Sequence, residues 1–218
     1  MVNCLSSALT SAKPRWPSIW SVPVGRPRKH GRHFLNNHMQ DLVSTDFFVV
    51  PTATFRLLFV FIVLSHERRR VLHFAVTAHP TAEWTSQQLI DAFPWDTTPQ
   101  YLLRDRDGSY GRAFEQTTRA MEIQEVLTAP RSPWQNAYIE RLIGSIRRDC
   151  LDHVLVFDER GLRRILKSYF DYYERSRTHL GLEKDAPIPR TVQLPSLGRV
   201  IEIPQVGGLH HRYERRAA

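Results

Sequence analysis

From residue 42 onward, apolar residues come in short dense runs separated by polar stretches. LVSTDFFVV (42–50), RLLFVFIVL (56–64) and RVLHFAVTA (70–78) are rich in β-branched and aromatic residues. PTAT and SHERR separate them, so the pattern predicts three successive strands in a meander. The second run is apolar at odd and even positions alike, which predicts a strand covered on both faces of its sheet, as in α/β proteins.

The apolar spacing then lengthens. Trp84, Gln88, Leu89 and Phe93 fall on one helical stripe, and Pro94 is the stop. QYLLR (100–104) predicts a short strand running into the polar turn DRDGSYG. Phe114 to Met121 follows as a helix, and EIQEVL (122–127) as a fifth strand. Beyond the loop TAPRSPWQ, Ile139, Leu142, Ile143, Ile146 and Cys150 recur at intervals of three and four, the signature of an amphipathic helix. Leu162, Ile165, Leu166, Tyr169, Phe170 and Tyr173 repeat that spacing within 158–174. The order β-β-β-α-β-α-β, closed by two helices, predicts an α/β fold.

The ends differ. Residues 1–33 hold Pro14, Pro17, Pro23 and Pro27 among Ser, Arg and Lys with no lasting period, and read as an extended arm. The segment after Pro187 is again rich in Pro and Gly, ends in the basic run HHRYERR and reads as an irregular tail. The expected organisation is an arm over 1–40, one core over 41–187 and a tail over 188–218.

Composition adds a partner class. The 218 residues, 42% of them hydrophobic, suffice for one good core. Of the formal charge of +8, the first 40 residues contribute +6 through Lys13, Arg15, Arg26, Arg28, Lys29 and Arg32, with no acid among them. A basic arm on a near-neutral body suits a polyanion such as DNA; the bland reading is a solvated tail. Cys4 and Cys150 make no disulfide framework and show no metal-ligand spacing, which fits a reducing cytoplasm. The longest apolar run, Leu57 to Leu64, is far short of the ~20 residues that span a bilayer, and residues 1–20 lack a secretion pattern, so no membrane partner is expected.

Three acids carry the candidate chemistry. Asp46 lies inside the first apolar strand, where a buried carboxylate is costly unless it is paired or binds a cation; otherwise it sits on a solvated face. Asp105 follows the fourth strand at its carboxyl end, a usual place for sites in α/β sheets, and Asp107 stands two residues on. DRDG also reads as a plain turn, and an Asp-x-Asp pair occurs in metal-dependent glycosyltransferases. Glu140 opens the amphipathic helix, with Gly144, Arg147 and Arg148 on its side. It also reads as an acid complementing the helix dipole ahead of a basic face.

Taken together, VSTDFF around Asp46, LLRDRDGSYG around Asp105 and APRSPWQNAYIERLIGSIRRDCLDH around Glu140 resemble the DDE integrase and transposase superfamily. The nearest likeness is to bacterial insertion-sequence transposases, from about Asp41 to about Pro187. Asp105 and Glu140 lie 35 residues apart, as the family pattern asks. The resemblance implies an RNase H-like fold with a mixed five-stranded sheet and helices on both faces. It makes Asp46, Asp105 and Glu140 the catalytic metal ligands, with Asp107 as the alternate to Asp105. It implies Mg2+ or Mn2+, two ions about 4 Å apart clamping the attacking and leaving oxygens. Water then nicks an element end and the freed 3′-hydroxyl attacks target DNA, with no covalent protein intermediate.

The same resemblance has Arg147 and Arg148 meeting phosphates and Trp134, Gln135 and Asn136 touching DNA, although Trp134 reads equally as a core anchor. It implies a homo-oligomer acting on element ends and target DNA in a bacterial cytoplasm, associated with the nucleoid. Residues 1–40 lack the helix-turn-helix that transposases of this type commonly carry, which points to a truncated copy or a separately encoded DNA-binding partner. Two rival readings keep the acids: a remnant that binds DNA without chemistry, and an RNase H-like nuclease that uses only water.

Overall fold

The computed structural model describes residues 37–94, 97–129 and 133–217, without the side chains of Pro133 and Trp134. Most of the expected arm therefore lies outside the described residues.

Strand β1 (Leu42–Pro51) pairs antiparallel with β2 (Leu57–Ser65), and β2 antiparallel with β3 (Val71–Thr77). Helix α1 (Ala82–Ala92) then crosses over to β4 (Tyr101–Arg104), which lies parallel to β1 on its other side. Helix α2 (Arg112–Ala120) leads to β5 (Gln124–Leu127), parallel to β4. The result is a mixed five-stranded sheet in the order β3-β2-β1-β4-β5. Helices α3 (Ala137–Asp149) and α4 (Glu159–Arg175) complete the core.

Local chemistry sets these limits. Thr81 caps α1 by accepting from the Trp84 amide at 3.2 Å, and Asp158 caps α4 by accepting from Gly161 at 2.6 Å. Between β1 and β2 the Thr52 hydroxyl accepts from the Arg56 amide at 3.0 Å and tightens the turn.

Alternation along the strands divides the interior into two cores. Phe48, Val50, Val60, Ile62 and Leu64 pack with Ile139, Leu142 and Ile146 of α3 and Leu162, Leu166 and Tyr169 of α4. Val43, Phe61, Val63 and Leu102 face the opposite way, onto Leu89 of α1 and Phe114 of α2. The continuous apolar run of β2 is thus explained: Phe61 and Ile62, neighbours in sequence, are both fully buried on opposite faces. Each such side chain contributes about 2 kcal/mol of burial, so the sheet is fixed from both sides.

The tail is not irregular. Arg199–Gln205 (β6) and His210–Arg216 (β7) form an antiparallel hairpin, with Gly207 and Gly208 at φ 65° and 93° in its turn. Only glycine adopts such angles without strain, so residues that read as breakers supply the turn. The hairpin docks on the core. The His210 ring stacks on Tyr172 at 4.3 Å, its Nε2 lies 2.7 Å from the Asp149 carbonyl oxygen, and Val206 joins the α3/α4 core. Among the described residues no helix is long and apolar enough to cross a membrane.

Candidate active site

Asp46 shares its face of β1 with Phe48 and Val50, so its carboxylate points toward α3. One oxygen accepts from the Phe47 amide at 2.8 Å. Burial, and after it the nearby Glu140 carboxylate, push Asp46 from 3.8 up to about 8. Asp105 and Asp107 act in the same direction, more weakly. Burial and clustered carboxylates, the two causes here, are what set a perturbed acid apart from an ordinary surface one.

Asp105 reaches the same place from the neighbouring strand. Ser44 of β1 stands opposite Leu103 of β4 in the last pair of their parallel ladder, and Asp46 and Asp105 each follow two residues on, near enough for Asp105 to raise the Asp46 pKa. One Asp105 oxygen accepts from the Asp107 amide at 3.1 Å. Asp107 turns to another task, accepting from the Ser109 amide at 2.7 Å to cap the turn over 108–110.

Glu140 comes from the first turn of α3. Burial raises its pKa, and Asp105 raises it further. Every pair among Asp46, Asp105 and Glu140 therefore interacts unfavourably when ionised. Among the described residues no three His, Cys, Asp or Glu groups stand close enough together to hold one metal ion. The acids converge without closing, and an all-oxygen set of this kind fits a hard divalent cation.

The flanking residues fall into two groups. Arg147 lies against β1, with its guanidinium 3.3 Å from the Val49 carbonyl oxygen and 5.7 Å from the centre of the Phe48 ring. Arg148 is exposed and folds back along Gly144. Gln135 instead accepts from the Ala129 amide at 2.7 Å and closes the loop before α3. Asn136 is only 4% exposed and donates to the Thr45 carbonyl oxygen at 3.3 Å, so it lies inside the protein rather than on its surface. The Trp134 side chain lies outside the described residues.

Sequence reading missed Arg104. This buried side chain pairs with Glu125 at 2.5 Å, donates to the Asp105 carbonyl oxygen at 3.0 Å and lies over the rings of Tyr110 and Phe114. It anchors the main chain that carries Asp105. Its only signal was a charged residue ending an otherwise apolar strand. Tyr110, buried between Phe47 and Phe114, lies near enough to Asp46 for that carboxylate to raise its pKa, although burial is the larger cause.

Comparison with known proteins agrees with this architecture. Residues 121–187 match the integrase core domain family. A protein of insertion element IS476 from Xanthomonas euvesicatoria is 26% identical over 158 residues, 72% of this chain and 45% of that protein. The chain thus spans less than half the length of this curated relative. The HTLV-2 integrase catalytic core in complex with magnesium superposes with a TM-score of 0.52 at 10% identity, covering 68% of this chain and 93% of that one. The catalytic domain of Mos1 mariner transposase gives a TM-score of 0.52 at 15% identity, covering 65% of this chain and 77% of that one. The matched segment and the shared sheet and helices lead to one conclusion: residues 121–187 are similar to the integrase core domain family, and the chain has the fold of the integrase and transposase catalytic cores it superposes on.

Proposed function

We propose that the chain is the catalytic core of a DNA transposase that cleaves phosphodiester bonds and joins a 3′-hydroxyl to target DNA. The observation that carries this reading is the meeting of Asp46, Asp105 and Glu140 from a strand, a strand end and a helix, each repelling the others. Asp46 and Asp105 serve as the ligands fixed by the sheet, and Glu140 as the ligand brought by α3. The turn hydrogen bond that occupies Asp107 supports its place as the alternate. Bound among these oxygens, Mg2+ or Mn2+, in a pair, supplies Lewis-acid stabilisation of the attacking and leaving oxygens.

The protein's own residues do the rest. Arg148 meets phosphate from the exposed face of α3, while Arg147 and Asn136 hold that helix on β1. Gln135 orders the loop that leads into α3. The arm over 1–40 adds cationic affinity for element ends and target, and the chain works as a homo-oligomer in the bacterial cytoplasm, on the nucleoid.

The test is nicking and strand transfer on a supercoiled plasmid carrying the gene's flanking DNA, with Mg2+ or Mn2+. Metal-dependent joined products from the wild type, lost in Glu140→Gln, support the reading. Cleavage without joining points to a nuclease. No cleavage by a folded, DNA-binding wild type points to a non-catalytic remnant.

A further inference from the structure

Several arginines near α3 and α4 are engaged with carboxylates: Arg68 with Asp185 at 2.8 Å, Arg177 with Asp149 at 3.2 Å, Arg163 with Glu159 at 2.8 Å and Arg175 with Asp171 at 2.9 Å. Arg69 and Arg141 form no ion pair among the described residues. Both lie beside the start of α3.

Arg141 follows Glu140 directly and is exposed. Helical spacing sets Ala137, Arg141, Gly144 and Arg148 on one outward face, with Gly144 between the two cations and the Arg148 guanidinium lying along it. Both charges are therefore carried on the outer side of the helix. From Arg141 to Arg148 the rise is about 10 Å. That matches about three phosphate steps of one strand of duplex DNA at ~3.4 Å each.

Arg69 comes from the turn between β2 and β3, where its backbone is left-handed at φ 58°. For a side chain of this size that conformation is strained and persists only where the surroundings impose it. They do so here. The guanidinium stands 4.9 Å over the Tyr138 ring and lies against Gly181, where a Cβ would collide with it. Tyr138 belongs to the same helical turn as Glu140. The charge is thus held in place without a carboxylate to neutralise it.

We propose that Arg69, the Tyr138 ring beneath it and Arg141 form a phosphate-binding ledge that carries duplex DNA past Glu140 on the side away from Arg147. The ledge rests on the reading of the acids as a DNA-processing site and assigns two contacts that reading did not include. A preordered guanidinium and an exposed one without a carboxylate partner suit phosphate oxygens; neither reads base sequence.

The test needs no catalysis. Binding of a fluorescein-labelled 30-base-pair duplex, in EDTA, is followed by anisotropy across a series of KCl concentrations for the full chain. Each of Arg69→Gln and Arg141→Gln is expected to lower the slope of log affinity against log salt by about 0.9, and the double variant by about 1.8. Lys at either position restores the slope. Arg119→Gln on α2, on the opposite face of the sheet, removes the same charge and leaves the slope unchanged. Circular dichroism shows whether each variant is folded. Folded variants that keep the wild-type slope overturn the ledge while leaving the catalytic reading intact, as does an equal loss in Arg119→Gln. A wild type without salt-dependent binding overturns both.

Discussion

Asn136 and Thr45 are joined by a hydrogen bond from the side-chain amide that precedes α3 to the main-chain oxygen just before Asp46. It fixes the helix bearing Glu140 to the strand bearing Asp46. Asn136→Ala is expected to cost about 1 kcal/mol in denaturant unfolding. Strand transfer per bound complex should fall about tenfold with DNA affinity almost unchanged. A loss of affinity with an unchanged rate would instead make Asn136 a DNA contact.

Asp46 is isosteric with Asn, which carries no charge to bury. In EDTA at pH 8, Asp46→Asn should raise Tm by about 3 to 6 °C, because the ionised form that burial and Glu140 oppose no longer exists. Added Mg2+ should raise the Tm of the wild type, by mass action on the folded state, and leave that of the variant unmoved. Calorimetry with and without the ion checks both, and an equal Mg2+ response in the two proteins would remove Asp46 from the ligand set.

His66 is 1% exposed, and neither ring nitrogen has a hydrogen-bond partner among the described residues. Burial, and then Arg69, lower its pKa from 6.5 to about 4. The unfolded ring takes a proton first as pH falls, so the contribution to stability is full above pH 6.5 and is lost toward pH 4. At roughly 1.4 kcal/mol per pKa unit the loss amounts to about 3 kcal/mol. His66→Phe keeps a ring against Tyr138 and should flatten that part of the stability profile, while His179, also lowered mainly by burial, keeps its own share. Urea unfolding between pH 4 and pH 7 measures it; an unflattened profile refutes it.

Arg104 and Glu125 form a buried pair whose members depend on one another. Arg104→Met should cost about 3 to 5 kcal/mol, because it strands the Glu125 carboxylate beside the Thr118 hydroxyl. Adding Glu125→Leu should recover most of that loss. Strictly additive losses in this double-mutant cycle would show that the two side chains act independently.

Much of this architecture was legible from periodicity. Each of the five sheet strands and four helices falls where runs of period 2 or 3.6 placed it, because burial on one or two faces writes itself into consecutive residues. The hairpin over 199–216 was not. Its Pro and Gly suggested irregular chain, and what holds it is the stacking of His210 on Tyr172, far away in sequence. The same limit applies around the acids. The words surrounding Asp46, Asp105 and Glu140 pointed to them, yet Arg104 under Asp105, the burial of Asn136 and the seat of Arg69 on Tyr138 all depend on contacts between distant segments. No local pattern records such contacts.

The parallel ladder that leads toward Asp46 and Asp105 has a mechanical consequence. The ladder ends at Ser44 and Leu103, two residues before each acid, so the sheet anchors the chain leading into Asp46 and Asp105. Glu140 rides on a helix tied to β1 by two side-chain bonds of 3.3 Å, one near each end. The three acids are thus held by a clamp pinned on both sides, and the helix that bears Glu140 cannot shift along β1 without giving up one of these bonds.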